Sequence, residues 1–271
     1  MIKSTISIES IQNHRIKSLV KLRKSSERRT QKKTLIEGCR EVERALEGDH
    51  PIDSFYICNK LLNPKTATLI STYANQHAIS IYNCTESVFK KITYRETSDG
   101  IIAQAPLIQR KLTDINLPKN PLVLIVEGVE KPGNIGTLIR TADASGVDAV
   151  IVINSKTDLS NPNVIRASMG SLFLLPVIEC TIDECFNWLE KNNIQSIGLT
   201  PEAKRIYIKT DYTIPTALMV GSEDQGITAK CKKRLTEKVF IPMKGYNDSL
   251  NVSSAAAVVL YESIRQRDII T

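Results

Sequence analysis

The sequence predicts an α/β protein with a small and a larger α/β part, and three observations support this. Apolar runs typical of strands alternate with stretches typical of helices, first over residues 31–106 and again over residues 121–271. The stretch "LIQRKLTDINLPKN" (107–120) between them has no such pattern and contains proline, which indicates a linker. The positive charge is concentrated at one end, in a basic N-terminal segment of residues 1–30.

The smaller part is predicted to alternate short helices and strands. A helix over 40–47 ends at Gly48, because glycine commonly follows the last helical turn. A second helix over 64–76 follows Asn63, a good N-cap, and begins with Pro64. The remaining predicted elements are strands over 52–57, 78–82 and 100–105 and a helix over 85–91.

The larger part begins with "PLVLIV" (121–126), a continuous apolar run that is typical of a strand buried in a parallel sheet. Further strands are predicted over 148–153, 172–179, 194–199, 216–220 and 238–241. Helices are predicted over 134–145, 163–170, 183–192, 225–235 and 251–267. Because strands and helices alternate, we expect a parallel sheet covered on both faces.

Composition is that of a soluble globular protein, with 42% hydrophobic and 24% charged residues among 271. No apolar run approaches the roughly 18 residues of a membrane helix, and the N-terminus lacks the apolar core of a secretory signal. The six cysteines form no CxxC pair, so we expect reduced thiols in a cytoplasmic protein without disulfides or a metal site. Its three histidines are early and scattered, which argues against a His-based catalytic triad.

The net charge of +7 is unevenly distributed along the chain. Residues 1–40 hold eleven lysines and arginines against three acids. Such a segment can neutralise the phosphates of a nucleic acid. The candidate RNA-binding cations are Arg15, Lys17, Lys21, Arg23, Lys24, Arg28, Arg29, Lys32 and Lys33. The alternative is a solvated basic helix that contributes to solubility only.

Polar and small residues follow three strands of the larger part, at the positions where ligands bind in parallel sheets. These stretches are "EGVEKPGNIGTLIRTADASG" (127–146), "GSEDQG" (221–226) and "IPMKGYNDSLNVSSAAAVVLYE" (241–262). Neither GxxxxGK[ST] nor GxGxxG occurs in the chain, so neither a P-loop ATPase nor a nicotinamide dehydrogenase is expected.

Each of these stretches is ambiguous when taken alone. Asn134 is a good N-cap, and Arg140, on an otherwise apolar helix, could extend to the surface or pair with an acid. Glu223 and the acid beside it could simply favour the start of the following helix. Ser249 could cap the last helix, with Asn251 in its first turn. Their convergence at one edge of one sheet is the stronger indication of a site.

In order, the three stretches resemble the motifs of the SpoU-type (TrmH-like) RNA 2′-O-ribose methyltransferases of the SPOUT superfamily. The first motif is matched by "PGNIGTLIRTADASGVDAV", the second by "LMVGSEDQGI" and the third by "IPMKGYNDSLNVSSAAAVVLYE". One departure is Lys131, where the family often has an acid. "LIEGCREVERALE" (35–47) and "TSDGIIAQA" (97–105) are similar, with less specificity, to the substrate-binding domain of two-domain members that act on rRNA.

The resemblance implies a fold, a cofactor and an assembly. The catalytic SPOUT domain is expected to form a deep trefoil knot, and the smaller part a ribosomal-protein-like α/β RNA-binding domain. S-adenosyl-L-methionine is expected to bind in a cleft of the knotted loops, largely through backbone atoms. The family works as a homodimer with the active site at the subunit interface. The cofactor-binding positions are Gly221, Ile241, Met243, Gly245 and Leu250.

The implied reaction is methylation of a ribose 2′-hydroxyl in RNA, with catalytic positions Asn134, Arg140, Glu223, Ser249 and Asn251. Arginine normally stays protonated, so Arg140 is either a strongly perturbed base or the residue that holds a phosphate or the developing alkoxide. Large-subunit ribosomal RNA is the expected substrate. The alternatives are a tRNA ribose 2′-O-methyltransferase and a non-catalytic RNA-binding or ribosome-assembly protein of the same fold.

Overall fold

The computed structural model of the protein describes residues 5–94 and 98–268. The chain divides into two compact units, with unit 1 comprising Met1–Ile108 and Asp158–Leu174, and unit 2 comprising Gln109–Thr157 and Leu175–Thr271. Some predicted features lie outside the described residues: the first four residues of the basic segment, Thr97, and the last three residues of the catalytic domain.

Unit 1 contains a mixed five-stranded sheet with helices packed around it. Its first segment forms β1 (Ile6–Ile8), α1 (His14–Lys21), α2 (Ser25–Gln31), β2 (Lys33–Glu37), α3 (Cys39–Glu47), β3 (Ser54–Ile57), α4 (Pro64–His77), β4 (Ser80–Cys84), α5 (Glu86–Ile92) and β5 (Ile101–Pro106). The strand order is β1-β4-β3-β5-β2, with β1, β4 and β3 parallel and β5 antiparallel to both of its neighbours. The small α/β part predicted from the sequence is confirmed.

Local sequence explains where the helices of unit 1 begin and end. The Asn63 side chain caps α4 by accepting a hydrogen bond from the Thr66 N–H at 2.9 Å, and Pro64 occupies the first turn. Gly48 follows the last residue of α3, as predicted. Single residues that are evident in the sequence therefore mark where α4 begins and where α3 ends.

The sequence patterns do not indicate β1, α1, α2 or β2. α1 buries Ile16 and Leu19, and the buried Leu22 follows at the same spacing of three residues. Lys17 and Lys21 lie between these apolar positions and Arg15 and Arg23 flank them, so the helical period is masked by charge. The basic segment therefore contributes to the core of unit 1, and all its predicted RNA-binding cations except Arg28 lie on the outer face of α1 and its neighbours.

Unit 2 is built on a seven-stranded sheet that is parallel throughout the described residues. Beyond β5 the chain forms β6 (Leu122–Glu127), α6 (Pro132–Ala144), β7 (Ala149–Ile153), α7 (Pro162–Ala167), α8 (Ser171–Leu174), β8 (Val177–Cys180), α9 (Ile182–Lys191), β9 (Gln195–Leu199), β10 (Arg205–Ile206), β11 (Thr216–Val220), α10 (Ala229–Lys232), β12 (Glu237–Phe240) and α11 (Val252–Asp268). The strand order is β10-β12-β9-β11-β6-β7-β8. The predicted parallel sheet is confirmed, and α7 and α8 belong to unit 1.

The centre of this sheet determines which residues meet at its carboxyl edge. Every residue of β6, β7 and β11 is buried. Val126 of β6 pairs with Val220 of β11, so the next residues along, Glu127 and Gly221, lie side by side. Parallel pairing therefore brings the loops that follow β6 and β11 together.

The predicted strand over 172–179 is wrong in its first half. Residues 171–174 form the helical turn α8, and β8 begins only at Val177, after Pro176. An apolar run of four residues does not distinguish a strand from a buried helical turn by its periodicity. Leu172 and Phe173 are nevertheless buried, as the apolar run implied.

Two other predicted helix starts also differ. The predicted helix over 225–235 is reduced to α10, because Gly226 adopts a φ of +62° and Thr228 is the N-cap. α6 begins at Pro132, two residues earlier than predicted, so Lys131 and not Asn134 precedes the helix. The Asn134 side chain is therefore not a cap and is available for other hydrogen bonds.

The described residues were also compared with the features expected of a membrane-spanning helix, a disulfide and a metal site. Across residues 5–94 and 98–268, no helix combines the length and the apolar character that spanning a membrane requires. Each of the six cysteines is a free thiol. Within the same residues, no group of three or more His, Cys, Asp or Glu side chains is arranged to hold a metal ion.

An ion pair between a buried arginine and a partly buried aspartate joins the two segments of unit 1. Arg28 of α2 is 2% exposed, and its guanidinium lies 2.7 Å from the Asp158 carboxylate. The same guanidinium donates to the carbonyl oxygens of Leu22 and Arg23, and Ser25 Oγ donates to Asp158 at 3.0 Å. A buried charge is tolerated only when its hydrogen bonds are satisfied in this way. The pair therefore fixes where the second segment begins.

The far end of this segment packs closely against α3. Arg44 donates to the Met169 carbonyl oxygen and to Ser171 Oγ, both at 2.9 Å. Gly170 between them has a φ of +81°, and a Cβ there would lie 3.1 Å from the Glu41 Cα. Only glycine combines this backbone conformation with so close an approach.

We expect Asp158→Ala to destabilise the protein by about 3 kcal/mol or more, because Arg28 would keep its buried charge and lose its counter-ion. Urea unfolding followed by circular dichroism measures the change. The matched control is Glu86→Ala, which removes the acid of the exposed pair formed by Lys60 and Glu86, 2.8 Å apart. Exposed pairs contribute little, so a loss as small as that of the control would contradict a structural role for the buried pair.

Candidate active site

Three loops at the carboxyl edge of the unit 2 sheet enclose a cavity of about 540 Å³. The lining residues follow β9 (199–202), β11 (220–226) and β12 (241, 243 and 248–251), and Lys232, Val252 and Ala255 complete the wall. Ligands bind at this edge of open parallel sheets, where loops from neighbouring strands converge. The position predicted from the order of strands and loops is therefore occupied by a cavity.

The loop after β11 is tight because two stretches of its backbone touch. A Cβ on Gly221 would lie 2.0 Å from the carbonyl carbon of Gly226 and 2.3 Å from the Ile227 nitrogen. The Gly226 N–H donates to the Ser222 carbonyl oxygen at 2.9 Å, which closes the turn. Gly221 is thus required by close backbone approach, and its own backbone forms part of the cavity wall.

The loop after β12 contributes side chains of intermediate to high exposure. Ile241 and Met243 are half-buried and Leu250 is 42% exposed, and all three line the cavity. Gly245, predicted to bind the cofactor, does not line it. Residues 244–247 are all exposed, so the chain bends outward there and carries Gly245 away from the cavity.

Three of the predicted catalytic side chains are joined by hydrogen bonds. Asn134 Nδ2 donates to Glu223 Oε1, and Asn251 Nδ2 approaches Asn134 Oδ1 at 3.5 Å. Asn251 is itself oriented, because its Oδ1 accepts from the Ser253 N–H at 3.0 Å and from Ser253 Oγ at 2.6 Å. Side chains from α6 and from the loops after β11 and β12 therefore form one polar cluster at the cavity.

Ser249 and Arg140 occupy different positions relative to this cluster. Ser249 lines the cavity but does not cap α11, because Asn251 provides the capping interaction. Arg140 lies on the exposed side of α6 and does not line the cavity. Within the described residues Arg140 forms no hydrogen bond or ion pair. The structure of one chain thus brings together four of the five predicted catalytic residues.

A charged pair at the cavity wall was not indicated by the sequence. Lys232 and Thr200 Oγ1 both donate to the Glu202 carboxylate. These two hydrogen bonds, the one from Lys232 more than the one from Thr200, lower the pKa of Glu202 to about 2. The residues follow β9 and end α10, and neither position carries a recognisable motif. Only the fold places them together.

The predicted RNA-binding cations differ in how much of their charge is available. Arg28 is excluded from contact with a phosphate, because it is buried in the ion pair with Asp158. Lys33 lies 3.3 Å from Asp53, and Arg23 donates to the Thr93 carbonyl oxygen at 2.7 Å.

The other predicted cations extend from unit 1 into solvent. The Arg15 guanidinium stacks over the Tyr82 ring, 4.8 Å from its centroid, and remains exposed. Five of the predicted cations are exposed and have neither an ion pair nor a ring contact within the described residues: Lys17, Lys21, Lys24, Arg29 and Lys32. This set, which we call the unit 1 basic surface, is the part of the predicted segment that can meet a polyanion.

Both parts of the chain match known protein families. Residues 121–261 match the SpoU rRNA Methylase family, and residues 13–103 match the MRM3-like substrate binding domain. The chain is 30% identical over 254 residues to the 23S rRNA (guanosine(2553)-2′-O)-methyltransferase RlmP of Bacillus subtilis (strain 168), covering 94% of this chain and 97% of that protein. The resemblance inferred from the three motifs is confirmed.

Solved structures of similar proteins cover nearly the whole chain. A crystal structure of an RNA 2′-O ribose methyltransferase has a TM-score of 0.82 and 36% identity, covering 97% of this chain and 99% of that one. The SpoU methyltransferase AviRb from Streptomyces viridochromogenes, in complex with the cofactor AdoMet, has a TM-score of 0.84 and 25% identity. That match covers 95% of this chain and 99% of AviRb.

We expect Gly221→Ala to lower stability by about 1–3 kcal/mol and to open the loop after β11, because its Cβ would overlap the backbone of Gly226. Urea unfolding and hydrogen exchange over residues 221–228 measure the two effects. Gly133→Ala is the matched control, since a Cβ at Gly133 meets nothing within 4 Å. If both variants behave alike, the close approach at Gly221 does not shape the loop.

Proposed function

The chain belongs to the SpoU rRNA methylase family, and on this premise we propose that it methylates a ribose 2′-hydroxyl of large-subunit ribosomal RNA, with S-adenosylmethionine as the methyl donor. The observation that carries the proposal is the hydrogen-bonded cluster of Asn134, Glu223 and Asn251 beside the cavity. Polar groups at the mouth of a mostly apolar cavity are suited to orient one substrate against another.

The cavity residues fit S-adenosylmethionine in size and chemistry. A volume of about 540 Å³ lies within the usual range of small-molecule sites. Leu199, Val220 and Ile241 offer apolar walls for a flat base, and the backbone at Gly221 offers hydrogen bonds at its edge. Glu202 and Lys232, which bond to each other at the cavity wall, would supply opposite charges to the zwitterionic amino-acid group. When bound, the cofactor supplies an activated methyl group.

The polar cluster would position the acceptor ribose. Glu223 is held by Asn134, and Asn251 is held by Ser253, so both present fixed oxygen or amide atoms at the cavity. Ser249 lies on the same wall and adds a hydroxyl. Fixed groups of this kind reduce the entropy lost when two reactants are aligned.

Arg140 would act by charge. Arg140 is exposed on α6, and its guanidinium offers five N–H donors and no acceptor. We therefore assign it to holding the target phosphate or the developing alkoxide through charge-assisted hydrogen bonds. This role leaves general-base removal of the hydroxyl proton to water or to a carboxylate such as Glu223.

We also propose that the protein works as a homodimer in which Arg140 completes the cavity of the partner subunit. The support is that Arg140 does not line the cavity of its own chain, while the other four predicted catalytic residues do so or hydrogen-bond to its wall. Two-fold symmetric dimers are the commonest oligomers of soluble proteins, and in such a dimer each subunit can contribute the same residue to the site of the other.

A trefoil knot in unit 2 remains part of the proposal. β12 lies between β9 and β10 in the sheet, whereas the helix that follows it, α11, packs back against β11 and α6. This return of the chain supports the knot.

The knot is tested by stretching the unfolded chain from its two ends, which measures its contour length. A knotted chain would be shorter than its residue number allows, and a full-length contour would contradict the knot.

Unit 1 is proposed to hold the RNA. Its sequence matches a substrate-binding domain, and the unit 1 basic surface carries five unpaired cations. Contacts between lysine or arginine and phosphate release counter-ions, so this binding should weaken as salt increases. The ribose 2′-hydroxyl that would receive the methyl group exists in RNA and not in DNA.

Transfer of labelled methyl groups from S-adenosylmethionine to total RNA, followed by mapping of the modified ribose, tests the proposed function. Wild-type protein should label a 2′-oxygen of large-subunit rRNA. Arg140→Ala should fold, keep its affinity for the cofactor and lose at least about a hundredfold in methylation rate. Label in tRNA would contradict the substrate, and no label with any RNA would favour a non-catalytic RNA-binding protein.

The dimer is tested by co-expressing Arg140→Ala with Asn251→Ala. If Arg140 acts in the partner's cavity, each mixed dimer holds one site with both wild-type residues, and the mixture should regain about a quarter of wild-type activity. Each variant alone is the control and should be inactive. A mixture as inactive as its components would show that both residues act within one chain.

We expect replacement of Lys17, Lys21 and Lys24 together by glutamine to raise the KM for RNA about tenfold and to reduce the salt dependence of RNA binding by about two in log–log slope. Affinity for S-adenosylmethionine should not change, because these residues lie in unit 1. Filter binding at several salt concentrations and steady-state kinetics measure the effects.

The matched control removes the same charge from unit 2, through Lys191, Lys209 and Lys238 replaced by glutamine. These lysines are exposed and lie outside the cavity. An equal loss of RNA affinity in both triple variants would assign binding to net charge, and not to the unit 1 basic surface.

A further inference from the structure

Glu127 is the last residue of β6, the one acid in an otherwise apolar strand, and it is 1% exposed. Its carboxylate accepts from the Thr228 N–H at 2.9 Å, Thr228 Oγ1 at 2.7 Å, Asn154 Nδ2 at 3.1 Å and Cys231 Sγ at 3.1 Å. A carboxylate buried without such donors would be strongly destabilising. Glu127 and these four donors are therefore fixed relative to one another.

These donors connect Glu127 to the cavity. Thr228 lies two residues after Gly226, which ends the loop that lines the cavity. Ile227 between them is buried in the core of unit 2. The other end of the loop, Gly221, follows β11, whose last residue pairs with the residue before Glu127. Glu127 thus holds the far end of the loop close to the strand on which the near end is already fixed.

The same carboxylate also lies at the origin of the loop that leads into α6, the helix that carries Asn134. That loop leaves β6 directly after Glu127 and enters α6 at Pro132. On its other side Glu127 accepts from Asn154, the first residue after β7. One buried side chain therefore links the carboxyl ends of β6 and β7 to the loop that carries Glu223.

We propose that Glu127 is a positioning residue for the methyl transfer: its carboxylate holds the loop Gly221–Gly226 in the conformation that forms the cofactor cavity and that brings Glu223 to Asn134. This inference rests on the proposed function. Glu127 does not line the cavity, so its effect passes through Thr228 and the loop backbone. Groups preorganised in this way lower the cost of ordering the site when ligands bind.

Asp148, a second carboxylate in the same sheet, provides a control that distinguishes an effect on the cavity loop from a general loss of stability. Asp148 precedes β7 at the opposite, amino edge, is partly buried, and accepts from the Leu122 N–H at 2.7 Å. It joins the starts of two neighbouring strands, as Glu127 joins strand ends, but it touches no loop of the cavity. Asp148→Asn is therefore a matched control for Glu127→Gln.

The experiment compares Glu127→Gln, Asp148→Asn, Thr228→Val and Thr228→Ser in the full-length protein. Four quantities are measured: urea stability, hydrogen exchange over residues 221–228 without ligand, the Kd for S-adenosylmethionine by calorimetry, and KM and kcat with RNA. Thr228→Val keeps the backbone N–H and loses Oγ1, so it tests the same contact if Glu127→Gln does not fold. Thr228→Ser restores the hydroxyl.

Positioning by Glu127 predicts faster exchange over residues 221–228 and a Kd for S-adenosylmethionine raised about tenfold in Glu127→Gln and Thr228→Val. The KM for RNA should not change. Thr228→Ser should match wild type, and Asp148→Asn should lose stability without any change in Kd.

Two results would overturn the inference. One is a Glu127→Gln variant that only loses stability, as Asp148→Asn does, with unchanged exchange and unchanged Kd. The other is a Thr228→Val variant that equals wild type in both measurements. If wild-type protein itself does not bind S-adenosylmethionine, the proposed function fails, whereas exchange over 221–228 still decides whether Glu127 holds the loop.

Discussion

Parallel strand pairing in unit 2 is the constraint on which the candidate site depends. Because β6, β11 and their neighbours all run in one direction, every loop that leaves a carboxyl end emerges at the same edge. The pairing of Val126 with Val220 then places Glu127 beside Gly221. A slip of one residue would move every side chain of the strand to the opposite face of the sheet, so the packing of β6 and β11 on both faces fixes the site as well as the core.

Buried charges hold connecting segments in both units. In unit 1, Arg28 and Asp158 form an ion pair that attaches the segment containing α7 and α8 to helix α2. In unit 2, Glu127 accepts four hydrogen bonds and attaches the loop after β11. Such groups need their partners in place before burial is tolerable, so they favour one arrangement of a segment that apolar packing alone would leave variable.

Much of the fold could be predicted from the sequence, because its determinants are local. Apolar runs such as Leu122–Val126 predict buried strands, and Asn63 with Pro64 predicts the start of α4. The amphipathic α1 was missed because charged residues interrupt its apolar positions, and α8 was taken for a strand because a short apolar run has no distinctive period.

The site was less fully predictable. Motifs identified Asn134, Glu223 and Asn251, which the structure brings together, but the pairing of Glu202 with Lys232 depends on tertiary contacts. Arg28 could not be told from its exposed neighbours, since its burial is determined by Asp158, 130 residues away in the chain.

A crystal structure of the protein grown with S-adenosylmethionine tests the central claim most directly. The account predicts the cofactor in the cavity of unit 2, with its hydrogen bonds made to backbone atoms near Gly221, Ile241 and Leu250. Its methyl group should face the cluster of Asn134, Glu223 and Asn251. Cofactor bound elsewhere on the chain, or in the cavity with the methyl group directed away from that cluster, would contradict the account.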